Sequence, residues 1–339
     1  MTDKKPYGQV ILGDASVIDS SYARWSNQPV DETRVENAAA PDPRETTIGK
    51  TVSVTGPGTF FGRAQRTLTF VPAEIGGWRF DRHDLPGSMP ISVSAENIWT
   101  TVRNIVLSSG APQNYVRMVE HIVALKPGLN VDHVLIRLDS GDPPLFERSS
   151  MDLVEAFDAA GVVTLPRPAA YVTVKEPLTA VGSYGSFLTF LPAEAGSRRL
   201  ELDCAVDFKT AIGKQRLQWV VTPDTFRYGA AARTNTTYLM MLYCKTIGKL
   251  FADMRNLGYT RRNILIAGRR RYHNKPGHMH QGKSLEAVWH RAALDLLAAV
   301  ALLGGVRLAG KIVSYKAGHA LDCQMVRALL DGHRLVPVT

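Results

Sequence analysis

The chain has 339 residues, 45% of them apolar, which suffices for two packed domains and is too long for one typical core. Its three scattered cysteines, Cys204, Cys244 and Cys323, exclude a disulfide framework and a Cys-x-x-Cys metal pattern, and point to a reducing compartment. With a polar start, "MTDKKPYGQ", and no run of roughly 18 apolar residues, a soluble cytoplasmic protein is expected, and the net charge of +9 suggests an anionic partner.

Residues 1–45 read as a poorly ordered extension. "NQPVDETRVENAAAPDPRE" is polar, contains Pro and Ala, and has no sustained apolar period. The folded part is expected to start near "TTIGKTVSVTGPG". From there the chain repeats itself: "LTFVPAEIG" at 68–76 returns as "LTFLPAEAG" at 188–196, seven identities in nine at an offset of 120 residues. Each copy runs from an apolar strand into Pro-Ala-Glu and a Gly turn. An offset of domain length argues for duplication. Two similar α+β domains are expected, 46–168 and 169–336, each an open sheet packed against helices, with a cleft between them.

In the first domain, Val116, Val119, Ile122 and Val123 have helical spacing, which predicts a helix over 115–125. Glu120 and His121 are neighbours on it, about 100° apart, so both can reach one cleft as a base beside a metal ligand. The plainer reading is a solvated helix face. Further on, "RRNILIAGRRRYHNK" at 261–275 clusters basic residues. Such a patch suits a phosphate-bearing substrate, a membrane surface or a nucleic acid, against a plain solvated loop. In "YHNKPGHMHQGK", His278 and His280 have the spacing of ligands on an extended segment, although the flanking Gly and Pro mark a loop where histidines, His273 included, are commonly just exposed.

The stretch "VWHRAALDLL" at 288–297 poses the sharpest question. Metal ligands on a helix sit four apart, about 40° around the axis, whereas His290 and Asp295 are five apart, about 140°. Four before Asp295 stands Arg291, which cannot bind a cation. The run "LDLLAAVALLGGV" at 294–306 is too short to span a membrane and reads as a buried helix. Near the end, "SYKAGHALD" (314–322) leaves a strand, turns at Gly318 and presents His319 where a helix begins. An imidazole there can donate a proton to a developing anion. A capping or core histidine is the competing reading.

Taken together, "VTGPGTFFG" (54–62), "FDRHDLPGS" (80–88), "MVEHIVAL" (118–125), "AARTNT" (231–236), "LDLLAAVALLGG" (294–305) and "SYKAGHALD" resemble, in this order, the zinc-dependent UDP-3-O-acyl-N-acetylglucosamine deacetylases of lipid A synthesis. The resemblance covers about residues 46–335 and implies that family's duplicated two-domain α+β fold. It also implies Glu120 as general base, His121 and Asp295 as zinc ligands and Thr234 as the hydroxyl that assists the oxyanion. Lys316 falls on a substrate-binding lysine and His319 on the catalytic histidine.

The pattern then departs. Counting back from "ALLG", the family's zinc histidine falls on Arg291, its lysine on Ala292, and the aspartate that supports the catalytic histidine on Ala299. Phe60 and Asn235 also differ from the family's residues. His290 can take the ligand position only if one residue is added to the helical turn, as a π-bulge would do. Zinc catalysis needs about three protein ligands. The expectation is therefore that Arg291 replaces the cation, pairing with Asp295 across one turn or with Glu120. On that reading the protein is a paralogue with a degenerate zinc site that binds an acylated or nucleotide sugar with altered or lost hydrolysis, and needs no cofactor. The alternatives are an active zinc amidohydrolase completed by His290 or a loop histidine, and a module that binds protein or nucleic acid through 261–275. Peripheral membrane contact stays open, and a nucleic-acid partner is the least favoured.

Overall fold

A computed structural model describes residues 5–35, 41–60, 64–246 and 258–338. The first unit is built on a five-stranded sheet of β3 (Val52–Pro57), β4 (Gln65–Pro72), β5 (Trp78–Arg82), β6 (Ile91–Ser92) and, after helix α2 (Glu120–Val123), β7 (Val134–Leu138). Its spatial order is β3-β4-β7-β5-β6, antiparallel except for the parallel β7–β5 pair. Helix α3 (Met151–Ala160) follows.

The second unit repeats this plan. Its strands are β8 (Leu178–Val181), β9 (Phe187–Leu191), β10 (Leu200–Asp207), β11 (Lys214–Val220) and β12 (Gly310–Tyr315), in the order β8-β9-β12-β10-β11. Here too only the pair of the last and third strands, β12–β10, is parallel. The sequence repeat occupies the same place in both units, the second strand: Leu68 to Pro72 in β4 and Leu188 to Leu191 in β9. Duplication is thus visible in topology as well as in sequence.

Between β11 and β12 lie α4 (Pro223–Ala230), α5 (Tyr238–Lys245), α6 (Glu286–His290) and α7 (Leu297–Ala301); α8 (His319–Asp331) follows β12. A capping box at Thr222 and Thr225, with proline at the first helical position, starts α4. Arg291–Leu296, joining α6 to α7, is π-helical. Residues 286–294 are all buried, so this helix runs through the interior. Its neighbour α4 approaches closely because residue 229 is glycine: a Cβ there would lie 2.6 Å from the Ala293 Cβ and 2.8 Å from the Trp289 ring. One core joins both units, with Phe70, Trp78 and Phe157 from the first and Leu202, Trp219 and Trp289 from the second. Among the described residues no helix is long and apolar enough to cross a membrane.

Two local expectations are corrected. The helix expected over 115–125 is a strand at Tyr115–Arg117 and a short helix that starts at Glu120. The break is at Met118, whose φ is +49°; helical spacing of four apolar residues also suits a strand and a helix that face one core. The N-terminal extension is folded where it is described. Strand β1 (Gln9–Leu12) pairs with β8, and β2 (Glu32–Arg34) pairs with β11, so the second sheet gains both edges and becomes seven-stranded. Between them α1 (Ile18–Ser26) sets Tyr22 and Trp25 against Phe187. Edge strands form through backbone bonds and tolerate polar side chains, so they leave little apolar pattern. Residues 1–4 and 36–40 of the extension, and Phe61 and Gly62 of "VTGPGTFFG", lie outside the described residues.

Candidate active site

The two units meet where α2, the π-helical turn and the start of α8 converge. Glu120 opens α2, is 3% exposed, and accepts the Ile105 backbone N–H at Oε1. The Nε2 of His319, first residue of α8, lies 3.7 Å from that oxygen and 3.6 Å from Asp295 Oδ1. His290 Nδ1 is 3.4 Å from the same Asp295 oxygen. Thr234 Oγ1 stands between two imidazoles, 3.2 Å from His121 Nε2 and 2.8 Å from His290 Nε2. Those two rings have centroids 5.3 Å apart. The residues Glu120, His121, Thr234, His290, Asp295 and His319 therefore share one site.

His290 reaches it through the π-helical turn. At about 4.4 residues per turn, from its wider i→i+5 bonding, ligands five apart come back to nearly one face. The misfit spacing in the sequence is what a π-turn requires.

Arg291 is placed otherwise than expected. Its Nη1 and Nη2 donate to the two oxygens of Asp322, each at 2.6 Å, and Nη2 also to Ser314 Oγ at 3.1 Å. The pairing expected with Asp295 or Glu120 is replaced by this ion pair to α8. The physical reason is the same turn: an added residue that carries His290 inward rotates its successor towards α8 and β12. Ala292 and Ala299 are buried in the core.

The charges follow from burial and neighbours. Burial raises the Glu120 carboxyl above its ordinary range, partly offset by His319. Burial, with His290 beside it, pushes His121 down to about 3, so that ring is neutral. At Asp295 burial opposes ionisation, but His290 and His319 outweigh it and hold the carboxyl well below the usual range. Burial likewise opposes charge on His319; Asp295, Glu120 and Asp322 outweigh it and raise the imidazole.

Whether these residues suit a metal can be judged from their protons. His121 Nδ1 lies 3.3 Å from both Ser149 Oγ and Ser150 Oγ. Each hydroxyl already gives its proton to a carbonyl, Ser149 to Ala232 O and Ser150 to His121 O. Nδ1 must then be the N–H, which turns the Nε2 lone pair into the site. If His290 directs its Nδ1–H to Asp295, a second lone pair faces Thr234, whose hydroxyl has one proton to share. Glu120 Oε2 and Asp295 Oδ1 are buried without an ordinary hydrogen bond among the described residues. Surplus lone pairs in a buried pocket suit a cation, and two imidazoles with one carboxylate are a zinc-type donor set. As they stand, no three His, Cys, Asp or Glu side chains among the described residues form a finished cage; small side-chain rotations would have to complete it.

The remaining sequence expectations lie further out. Lys316 is exposed at the turn into α8, with φ +53°. His278 turns its Nε2 to Tyr228 O at 2.9 Å and packs on the Tyr228 ring. In the basic stretch Arg261, Arg269, Arg270, Arg271 and Lys275 are exposed. Sequence reasoning missed Ser149, Ser150 and Asp322. Adjacent serines just before a helix, and an acid three residues after His319, were the available signals.

A family model for UDP-3-O-acyl N-acetylglycosamine deacetylase matches residues 45–331. The UDP-3-O-acyl-N-acetylglucosamine deacetylases of Brucella ovis and Brucella canis are each 28% identical over 290 residues, covering 84% of this chain and 94% of theirs. The same figures hold for the protein of that name from Brucella melitensis.

Proposed function

Because the chain belongs to the UDP-3-O-acyl N-acetylglycosamine deacetylase family, we propose that it is a zinc-dependent N-deacetylase of an acylated nucleotide sugar, with His121, His290 and Asp295 as the zinc ligands. The observation that carries this reading is the π-helical turn, which brings His290 to the Thr234 hydroxyl opposite His121.

When bound there, zinc supplies Lewis acidity beside the amide to be cleaved. The chain's own groups divide the proton transfers. Glu120, raised by burial, takes a proton from the attacking water through its free Oε2. His319, its imidazole raised by Asp295, Glu120 and Asp322 against the opposing effect of burial, faces the developing negative charge and returns a proton to the leaving amine nitrogen. Thr234 Oγ1 donates to the oxyanion. The amide and water become acetate and a free amine. Lys316 and the exposed arginines of 261–275 would meet the phosphates. The exposed apolar face of α5, where Leu239 is 76% exposed, suits an acyl chain.

A second reading, a metal-poor paralogue that binds the sugar without hydrolysis, is favoured by Ala292, Ala299 and the absence of a finished cage among the described residues. Zinc analysis together with turnover on UDP-3-O-acyl-N-acetylglucosamine separates the two. About one zinc per chain, with turnover lost to a chelator and restored by zinc, is expected. Zinc-free protein that binds the nucleotide sugar and never turns it over would establish the second reading.

A further inference from the structure

The family match begins at residue 45, so the folded segment 5–35 lies outside it. That segment is fastened to the helix that carries His290. Glu32 is 6% exposed, and its Oε2 accepts the indole N–H of Trp289 at 2.9 Å. Trp289 is fully buried and immediately precedes His290. Glu32 Oε1 takes the Arg34 Nε–H at 2.6 Å, and the Arg34 guanidinium lies over the rings of Tyr228, 3.9 Å from its centroid, and Trp289, 5.6 Å. One residue earlier, Asp31 accepts from Lys283 Nζ at 2.6 Å and from the Arg216 backbone N–H at 2.9 Å.

We propose that residues 9–34 are a strap that positions the metal helix, with Glu32 as the positioning residue that seats Trp289 and, through it, His290. The helix needs such a hold. Its N-cap residue Leu285 makes no side-chain cap, and the π-turn that follows gives up regular i→i+4 bonding. Its first turn is anchored from several sides: Glu286 accepts from Arg233 Nε and from the Gly277 N–H, each at 2.6 Å, Gln215 Oε1 accepts the Val288 N–H at 3.1 Å, and Glu32 takes the indole of the next residue. Gln215 is the second residue of β11, the strand that β2 pairs with at Leu217, Gln218 and Trp219, so strap and helix are gripped by one strand. The middle of the strap is held by the same strand, and its far end, β1, by pairing with β8. Arg216 donates from Nη1 to Trp25 O at 3.0 Å and Gln28 O at 2.8 Å, while its other nitrogens bind Asp203 at 2.9 Å and 3.0 Å. A buried indole N–H that loses its acceptor costs free energy. Loss of Glu32 removes that hold, and a turn of the Trp289 ring or a shift of the helix in response moves the residue beside it.

The test uses the full chain, with amide hydrogen exchange as the first readout and zinc dissociation constants by chelator competition as the second. Glu32→Ala is expected to speed exchange in 286–301 about tenfold, leave the strands of the first unit unchanged, and weaken zinc about tenfold. Glu32→Gln keeps an acceptor for Trp289 and should restore both within about threefold. A uniform destabilisation would speed exchange everywhere, and Glu32→Gln would not rescue it selectively. Should Glu32→Ala not fold, Arg34→Ala, on a half-buried side chain, should speed exchange in the same helix about threefold. Unchanged exchange at 286–301 in the folded variants overturns the proposal, and so does a uniform rise. The zinc readout rests on the reading of the site given above; the exchange readout holds even if the wild-type chain binds no zinc, so the two ideas fail separately.

Discussion

Replacing Asp322 by Asn probes the ion pair that took Arg291 away from the metal position. Asp322 is 0% exposed and Arg291 4%, and they share two bonds of 2.6 Å. Removing the carboxylate charge leaves a buried guanidinium with only Ser314 and an amide as partners, which should cost about 3–5 kcal/mol of stability. The double change Arg291→Met with Asp322→Leu removes both charges and should be close to neutral, so the cycle completed by the single changes Arg291→Met and Asp322→Leu should give a coupling of about 3 kcal/mol or more. Denaturant midpoints at constant slope read these values. The same position decides the role of the arginine. If its guanidinium stood in for a cation, Arg291→His with Ala292→Lys would tighten zinc binding; with position 291 facing Asp322, zinc affinity should not improve. An Asp322→Asn cost below about 1 kcal/mol, or tighter zinc in the Arg291→His variant, would refute the assignment.

Glu120→Gln should lower kcat about 10²–10⁴-fold and leave zinc content unchanged, measured by turnover and metal analysis. Ser149→Ala with Ser150→Ala removes both acceptors of His121 Nδ1–H and should weaken zinc about 10–100-fold by chelator competition, because the required tautomer loses its support. Lys126 donates to Gly304 O at 2.7 Å, and burial, partly opposed by Asp132, pushes its amine down to about 8. The unfolded chain holds that proton up to about 10.4. Between these values the unfolded state binds more protons, so the wild type should gain up to about 3 kcal/mol relative to Lys126→Met as pH rises from 8 to 10.4. Denaturation of both proteins across that range checks the sign, and a difference that falls with pH would be wrong for a buried amine.

Much of the fold was legible because duplication leaves the same residues on the same strand of each sheet, Leu68 in β4 and Leu188 in β9. The residues Glu120, His121, Thr234, Asp295 and His319 were legible as family motifs. His290 was readable only as an exception: on a straight α-helix its spacing from Asp295 is wrong, and nothing in "HRAALD" announces a π-turn, because the partners of Trp289 and Arg291, Glu32 and Asp322, lie far along the chain. Arg291 misled for the same reason, since a residue four before an aspartate pairs with it only if the turn is regular. The strap was illegible because "ETR" is a polar edge strand, and because Tyr22 and Trp25 of α1 bury against residues more than 150 positions away, such as Phe187.

Zinc stoichiometry of the purified wild type and of His290→Ala, both confirmed folded, tests the central claim most directly. With His290 as a ligand brought in by the π-turn, the wild type should hold about one zinc per chain and His290→Ala far less at the same free zinc. A wild type that stays zinc-free after incubation with the ion, or a His290→Ala protein that keeps its full zinc, would contradict it.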